Sequence, residues 1–290
     1  MCLAWIVKSR WIPCSAHRFA FRTVKGDASS RRQAQPMNVK LTPQEANELA
    51  RFRFSAQLPD ERTTVNIGLL LRERNMAKFL SNIKSELQAP DLKVAASVFS
   101  KRFAFVAVIQ LYAMTVWNKR LIFTLDTLEL THRKDQGQWL PEYSVGSLEA
   151  EPVADMDREK WRDAALEHLF KETILPVLDS LSKTAKISKL ILWENIAVYM
   201  FWLYRTILAD KDDSQIADDF DYIVNSAPGK LFGNYNSNPL KKFNSKEVYV
   251  EAHKEFVRIR KTCCFSYQLG EKQTYCKTCP RSCLPLMKEG

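Results

Sequence analysis

Glycine is scarce, with 8 in 290 residues, and neither G-x-G-x-x-G nor G-x-x-x-x-G-K-[S/T] occurs. Both glycine-backbone cradles for a pyrophosphate are therefore missing, which speaks against nicotinamide, flavin and P-loop chemistry. Histidine is rarer still. His17, His132, His168 and His253 show no metal-ligand spacing among themselves, and no Ser/His/Asp or paired-carboxylate arrangement suggests a hydrolase. Two apolar runs are long, at residues 95–117 and 188–208, but neither is clean. Gln110 and Thr115 interrupt the first, and Glu194, Asn195 and Arg205 the second, so both read as buried helices and no transmembrane segment is expected.

Acidic residues are almost absent from one place, the N-terminus. Residues 1–36 hold seven Lys/Arg and a single Asp, whereas the other 254 hold 36 Lys/Arg and 32 Asp/Glu. The formal net charge of +10 is thus a basic leader ahead of a mildly basic body, and a nucleic-acid partner is not expected. The apolar opening Met1 to Val7 is too short to span a membrane and precedes its charge, the reverse of a secretory signal. An Arg-rich, acid-poor leader suits either an organelle transit peptide or a dispensable, disordered extension upstream of Met37.

From Met37 the pattern predicts an α+β protein, predominantly helical, with a small antiparallel sheet and an irregular cysteine-rich tail. The expected organisation is an extension at 1–36, a body at 37–257 and a tail at 258–290. Thr42-Pro43-Gln44-Glu45 is a capping box with proline at the first helical position, predicting a helix to about Phe54. A short strand is expected near Val65, an amphipathic helix over 74–88, and strands over 121–125 and 127–131. Residues 134–137 read as a turn and 139–152 as loop or short strand. Helices follow over 157–169, 174–182 and 188–208, then an acidic patch over 210–221 that reads as a solvated link or helix end, a loop to Pro239, and a helix over 245–260.

Of the seven cysteines, five crowd the end of the chain: Cys263, Cys264, Cys276, Cys279 and Cys283. Thiolates select iron–sulfur clusters, zinc or copper(I) over hard, oxygen-seeking ions. Structural zinc usually joins two CxxC or CxxH knuckles, and here one half is an adjacent Cys-Cys pair, whose side chains diverge. A two-iron cluster is wider and accepts divergent ligands, and Cys279-Pro280 matches the Cys-Pro ending of some ferredoxin runs. On spacing alone, cluster, zinc, and disulfide or free thiols all remain open.

Arg260-Lys261-Thr262-Cys263-Cys264 followed by Tyr275-Cys276-Lys277-Thr278-Cys279-Pro280 resembles the C-terminal signature of FhuF-type ferric-siderophore reductases. In that family a Cys-Cys pair, a ten-residue spacer and a CxxC hold one [2Fe–2S] cluster; the spacer here has eleven residues, 265–275. Phe99-Ser100-Lys101-Arg102-Phe103-Ala104 and Trp193-Glu194-Asn195-Ile196-Ala197-Val198-Tyr199 are similar to the family's body segments, which siderophore synthetases share. The resemblance runs from about Met37 to Cys283. It implies a cluster ligated by Cys263, Cys264, Cys276 and Cys279, with Cys283 as an alternative ligand. It also implies one-electron reduction of an Fe(III)-siderophore in the cytoplasm, an external electron donor, and room for peripheral association with the inner membrane face. Oxygen chelators hold hard Fe(III) far better than Fe(II), so reduction releases the metal.

Seven residues are candidates for substrate binding: Lys101, Arg102, Glu194, Asn195, Arg258, Arg260 and Lys261. The competing readings are a solvated helix end for Lys101 and Arg102, a backbone cap for Glu194 and Asn195, and helix-dipole complementation for the three basic tail residues. Two other functions fit the same residues: a siderophore-handling binding protein with structural zinc, and an iron–sulfur electron carrier without a siderophore site.

Overall fold

Strand β1 (Val39–Lys40) leads into helix α1 (Pro43–Ala50), whose predicted capping box forms: Thr42 Oγ1 accepts the Glu45 N–H, and the Glu45 carboxylate accepts the Thr42 N–H at 2.8 Å. The computed structural model describes residues 37–56, 64–132, 134–135, 138–211, 213–269 and 274–286. The expectations placed on residues 1–36 lie outside these. Helix α1 stops before the expected Phe54. Arg53 turns left-handed at φ 63°, and Phe54–Ser55 become strand β2. The reason is that Phe52 and Phe54 are both buried, and residues two apart share a face only in extended chain.

Strand β3 (Thr64–Asn66) and a single turn, α2 (Ile67–Leu70), precede α3 (Glu73–Glu86), which buries Met76, Phe79, Leu80 and Ile83 at helical spacing. Asp91 then caps α4 (Leu92–Trp117), and Asn118 closes it in the left-handed conformation. Among the described residues α4 is the one helix long and apolar enough to cross a membrane, and it is buried nearly all round. A helix apolar on every face needs cover on every face. Helix α3 covers one side, with Phe79 against Phe99 at 5.0 Å, and Tyr143 meets Phe103 at 6.0 Å on another.

The strands are short and form the expected small antiparallel sheet beside a second, mixed one. β4 (Lys119–Leu121), β5 (Glu129–Thr131), the hairpin β6 (Lys134–Asp135) and β7 (Gln138–Trp139), β8 (Glu142–Ser144) and β9 (Glu149–Pro152) follow in order. One sheet runs β1-β9-β4, all antiparallel. The other runs β2-β8-β5-β3, in which β2 and β8 are parallel.

Helix α5 (Arg158–Glu167) continues through π-helix at His168–Ile174 into α6 (Leu175–Ala185), so one rod replaces the two expected helices. Lys186 ends it left-handed, and Ser188 caps α7 (Lys189–Trp202), which packs along α4 as that helix's main partner. The acidic patch over 210–221, expected as a solvated link or helix end, carries a helix, α8 (Ser214–Asp221), and the correction is to its solvation: Asp219 is fully buried. Arg158 grips it with two hydrogen bonds of 2.9 and 2.7 Å, and Arg162 adds a third at 2.9 Å. The expected helix over 245–260 is a second correction. Residues Val248–Val250 and Glu255–Val257 form an antiparallel hairpin, β10–β11, because alternating Val and aromatic residues bury one face and leave Tyr249 and Phe256 on the other. Helix α9 (Pro280–Leu286) ends the described chain.

Candidate metal centre

The two cysteine pairs are brought together by backbone pairing. Arg260 N–H donates to the Thr278 carbonyl at 3.0 Å, laying the segment before Cys263 beside the CxxC knuckle. Within the knuckle, Cys279 N–H closes on the Cys276 carbonyl at 2.9 Å, and Cys283 N–H closes on the Cys279 carbonyl at 2.9 Å. Phe265 is left-handed at φ 60°, and its N–H points at Cys263 Sγ, 3.4 Å away.

All five described cysteines are free thiols, and four of them interact. Cys276 hydrogen bonds to Cys264, while Cys263 senses the charges of Cys279 and Cys264. The bond from Cys276 holds the Cys264 thiol down at about 4 despite burial, with help from the positive charges of Lys101 and Arg260. Cys276 is pushed up because it keeps the proton of that bond and is buried as well. Burial raises Cys263. Among the described residues no group of three or more His, Cys, Asp or Glu closes on a single metal ion. Cys264 and Cys276 stand as one bonded pair, with Cys263 and Cys279 in electrostatic reach, rather than as one tetrahedral cage.

The fifth thiol faces elsewhere. Cys283 is completely buried with Val250 and Val257 of the hairpin, and its Sγ donates to the Lys277 carbonyl at 3.1 Å. It supports the knuckle from behind.

A buried polar relay fixes the site to the core. Glu194, on α7, accepts the N–H groups of Lys261 at 2.6 Å and Thr262 at 2.7 Å, together with the Thr262 hydroxyl. Asn195 accepts from Arg260 Nη2 at 2.6 Å and donates to Ser97 and Ser100 of α4 at 3.0 and 2.8 Å. Ser97 Oγ donates in turn to the Cys264 carbonyl at 2.8 Å. Lys101 reaches across from α4, placing Nζ 3.1 Å from Ser266 Oγ and 3.9 Å from Cys264 Sγ. Buried polar groups need partners, and here helices and tail supply them to each other.

The seven substrate candidates therefore have varied positions. Glu194, Asn195 and Arg260 are buried, at 2%, 0% and 6% exposure, and are occupied in holding the tail. Arg258 is bound to Asn244 at 2.8 Å and Glu247 at 3.2 Å and lies over Phe201. Lys101 faces the thiols, and Lys261 is exposed. Arg102 lies by the buried Tyr143, with no hydrogen-bond partner for its Nε among the described residues. A cleft of about 420 Å³ lies between α6, α7 and the loop before β10, lined by Lys189, Trp193, Tyr235, Lys242 and Phe243 among others. None of the seven lines it. Sequence reading gave no role to Ser97, Ser100 or Ser266; the helical spacing of Ser97, Ser100 and Lys101 is a signal for the first two, and Ser266 carries none. It also missed the stacked Tyr267 and Tyr275 beside the thiols, with Arg281 over Tyr267.

Residues 260–281 match the family model described as the FhuF 2Fe-2S C-terminal domain. The matched segment contains Cys263, Cys264, Cys276 and Cys279 and ends before Cys283. No curated protein matches the chain. The tail is thus of the FhuF type, and its cofactor is a [2Fe–2S] cluster. The residues present fit that group: four soft donors in mutual reach, two of them hydrogen bonded to each other, and nearby cations to offset thiolate charge.

Proposed function

We propose that the protein is a ferric-siderophore reductase, passing one electron to Fe(III) in an oxygen-donor chelate so that Fe(II) is released for assimilation. The observation that carries this reading is the match of residues 260–281, together with the convergence of its four thiols on a core built for them. A [2Fe–2S] cluster held by Cys263, Cys264, Cys276 and Cys279 supplies the single electron when bound. The chain's own residues do three things. Glu194 and Asn195 fix the first ligand pair, so little reorganisation accompanies a change of charge. Lys101 and Arg260 set a positive field at Cys264. Helices α4 and α7 close the inner side to water, leaving Cys263 and Cys276 as the half-exposed edge from which a chelate approaches.

No nucleotide motif is present, so the electron comes from an external donor. Free thiols throughout the described chain suit the reducing cytoplasm, where we place the protein. The test is anaerobic: protein reduced with dithionite is freed of excess reductant and mixed with Fe(III)-siderophore and an Fe(II)-trapping dye. One Fe(II) trapped per cluster, with return of the oxidised visible spectrum, is the expected result. A reduced spectrum that persists with the chelate in excess eliminates the reductase activity. One zinc per chain and no sulfide eliminates the redox chemistry altogether.

A further inference from the structure

Two of the four ligand cysteines, Cys264 and Cys279, are closed off at 2% and 1% exposure, whereas Cys263 and Cys276 are half-buried. What borders that open edge is aromatic and cationic. Tyr275 immediately precedes Cys276, and its ring stacks on Tyr267 at 4.9 Å and 24° between planes. Arg281 has its guanidinium carbon 5.2 Å from the Tyr267 centroid and donates Nη1 to the Tyr267 hydroxyl at 2.5 Å. Its other N–H groups make no hydrogen bond among the described residues. Its positive charge reaches Cys263. Tyr275 is 42% exposed, so the stack presents an open aromatic surface to solvent.

Charge is distributed to match. Residues 258–290 hold seven Lys/Arg against two Asp/Glu, while residues 37–257 hold 29 against 30. The body's positive balance therefore sits with the tail, and an anion is drawn toward the thiols and away from the rest of the surface.

We infer that Tyr267, Tyr275 and Arg281 form a docking platform, at the open edge of the cysteine site, for an anionic iron chelate with aromatic arms. This deepens the reductase reading and rests on it. A guanidinium offers paired N–H donors to phenolate or carboxylate oxygens, and a planar arm finds an offset-stacking partner in Tyr275. An uncharged, aliphatic chelate obtains neither contact.

The test uses Ga(III), which takes the place of Fe(III) in such chelates without accepting an electron. Cluster-loaded protein is titrated by calorimetry with a Ga(III) catecholate complex and with a neutral Ga(III) trihydroxamate. The catecholate complex binds at least about tenfold more tightly, and Arg281→Gln and Tyr275→Leu each remove about that factor while leaving the visible spectrum of the cluster unchanged. Equal affinity for the two complexes, or unaltered binding in both variants, overturns the platform. Dithionite-reduced protein is mixed in parallel with Fe(III) trihydroxamate and the Fe(II) trap. Fe(II) release at equal rates in wild type and Arg281→Gln, with no catecholate preference, keeps the reductase and discards the platform. Selective binding without any Fe(II) release keeps the platform and discards the reductase.

Discussion

Glu194 Oε2 accepts the backbone N–H of Thr262 at 2.7 Å, one residue before Cys263, the first of the four proposed cluster ligands. A carboxylate in the middle of an apolar helix thus holds the start of a metal site that lies 68 residues later in the chain. Its other oxygen, Oε1, takes the Lys261 N–H, and the Arg260 Nε sits 3.7 Å from Oε2. Neither the charge on α7 nor the two N–H groups of the tail is left unpaired.

Removing that carboxylate strands Arg260 and two backbone donors. For Glu194→Ala we expect a loss of about 3–5 kcal/mol, the usual cost of breaking one side of a buried ion pair. Glu194→Gln retains one acceptor and costs less. Urea denaturation measures the stability, and iron and sulfide analysis should show reduced loading in the alanine variant. Full loading at wild-type stability would remove Glu194 as the anchor.

Lys101 is placed to tune the site electrically. Its ammonium is 3.9 Å from Cys264 Sγ, where two unit charges interact by about 4 kcal/mol at an effective dielectric of 20, an upper figure for a half-buried group. A reduced cluster carries one more negative charge than an oxidised one, so a nearby cation favours reduction. Lys101→Met should lower the midpoint potential by roughly 60 mV for each tenfold shift in the equilibrium, and Lys101→Arg should restore most of it. Potentiometric titration followed in the visible reads this directly. Equal potentials in all three proteins would limit Lys101 to its bond with Ser266.

Much of this was readable from the chain, for identifiable reasons. The Thr42 box, the α3 stripe and the α4 run are local patterns, and local patterns are what periodicity and capping report. The cysteine tail was readable because soft ligands at close spacing have few other uses. The β10–β11 hairpin was not, since Val250 and Val257, seven residues apart, fit a helix stripe about as well as a strand face until their packing on Cys283 is known. Nor was the use of Glu194 and Asn195. Sequence marks them as polar groups in an apolar helix, but their partners are at Arg260 and Thr262, and only the fold joins those segments.

The same limit explains Asp219, which looks in sequence like one of several solvated acids. Its carboxylate is fully buried between Arg158 and Arg162, and Arg162 also stacks on Tyr222 at 3.9 Å. Asp219→Ala takes the buried acceptor from two guanidinium groups, leaving Arg162 with Asp218 and Arg158 with Asn118, and we expect up to about 3–5 kcal/mol of destabilisation. The cysteine site is held by other elements, so the visible spectrum of folded protein should be unchanged. Loss of the spectrum at full stability would contradict this division.

The most direct division is among the thiols themselves. Cys263, Cys264, Cys276 and Cys279 interact with one another, whereas Cys283 lies behind the knuckle against Val250 and Val257. Serine at any of the four should abolish or strongly shift the visible bands, because a hydroxyl is a hard donor in a soft site. Cys283→Ala should keep two iron and two sulfide per chain. It removes the bond to the Lys277 carbonyl and leaves a small void, together costing about 1–3 kcal/mol, visible as a lower melting temperature. If Cys283→Ala loses the cluster while Cys263→Ser keeps it, the ligand set is different, and the eleven-residue spacer has moved the register by one cysteine.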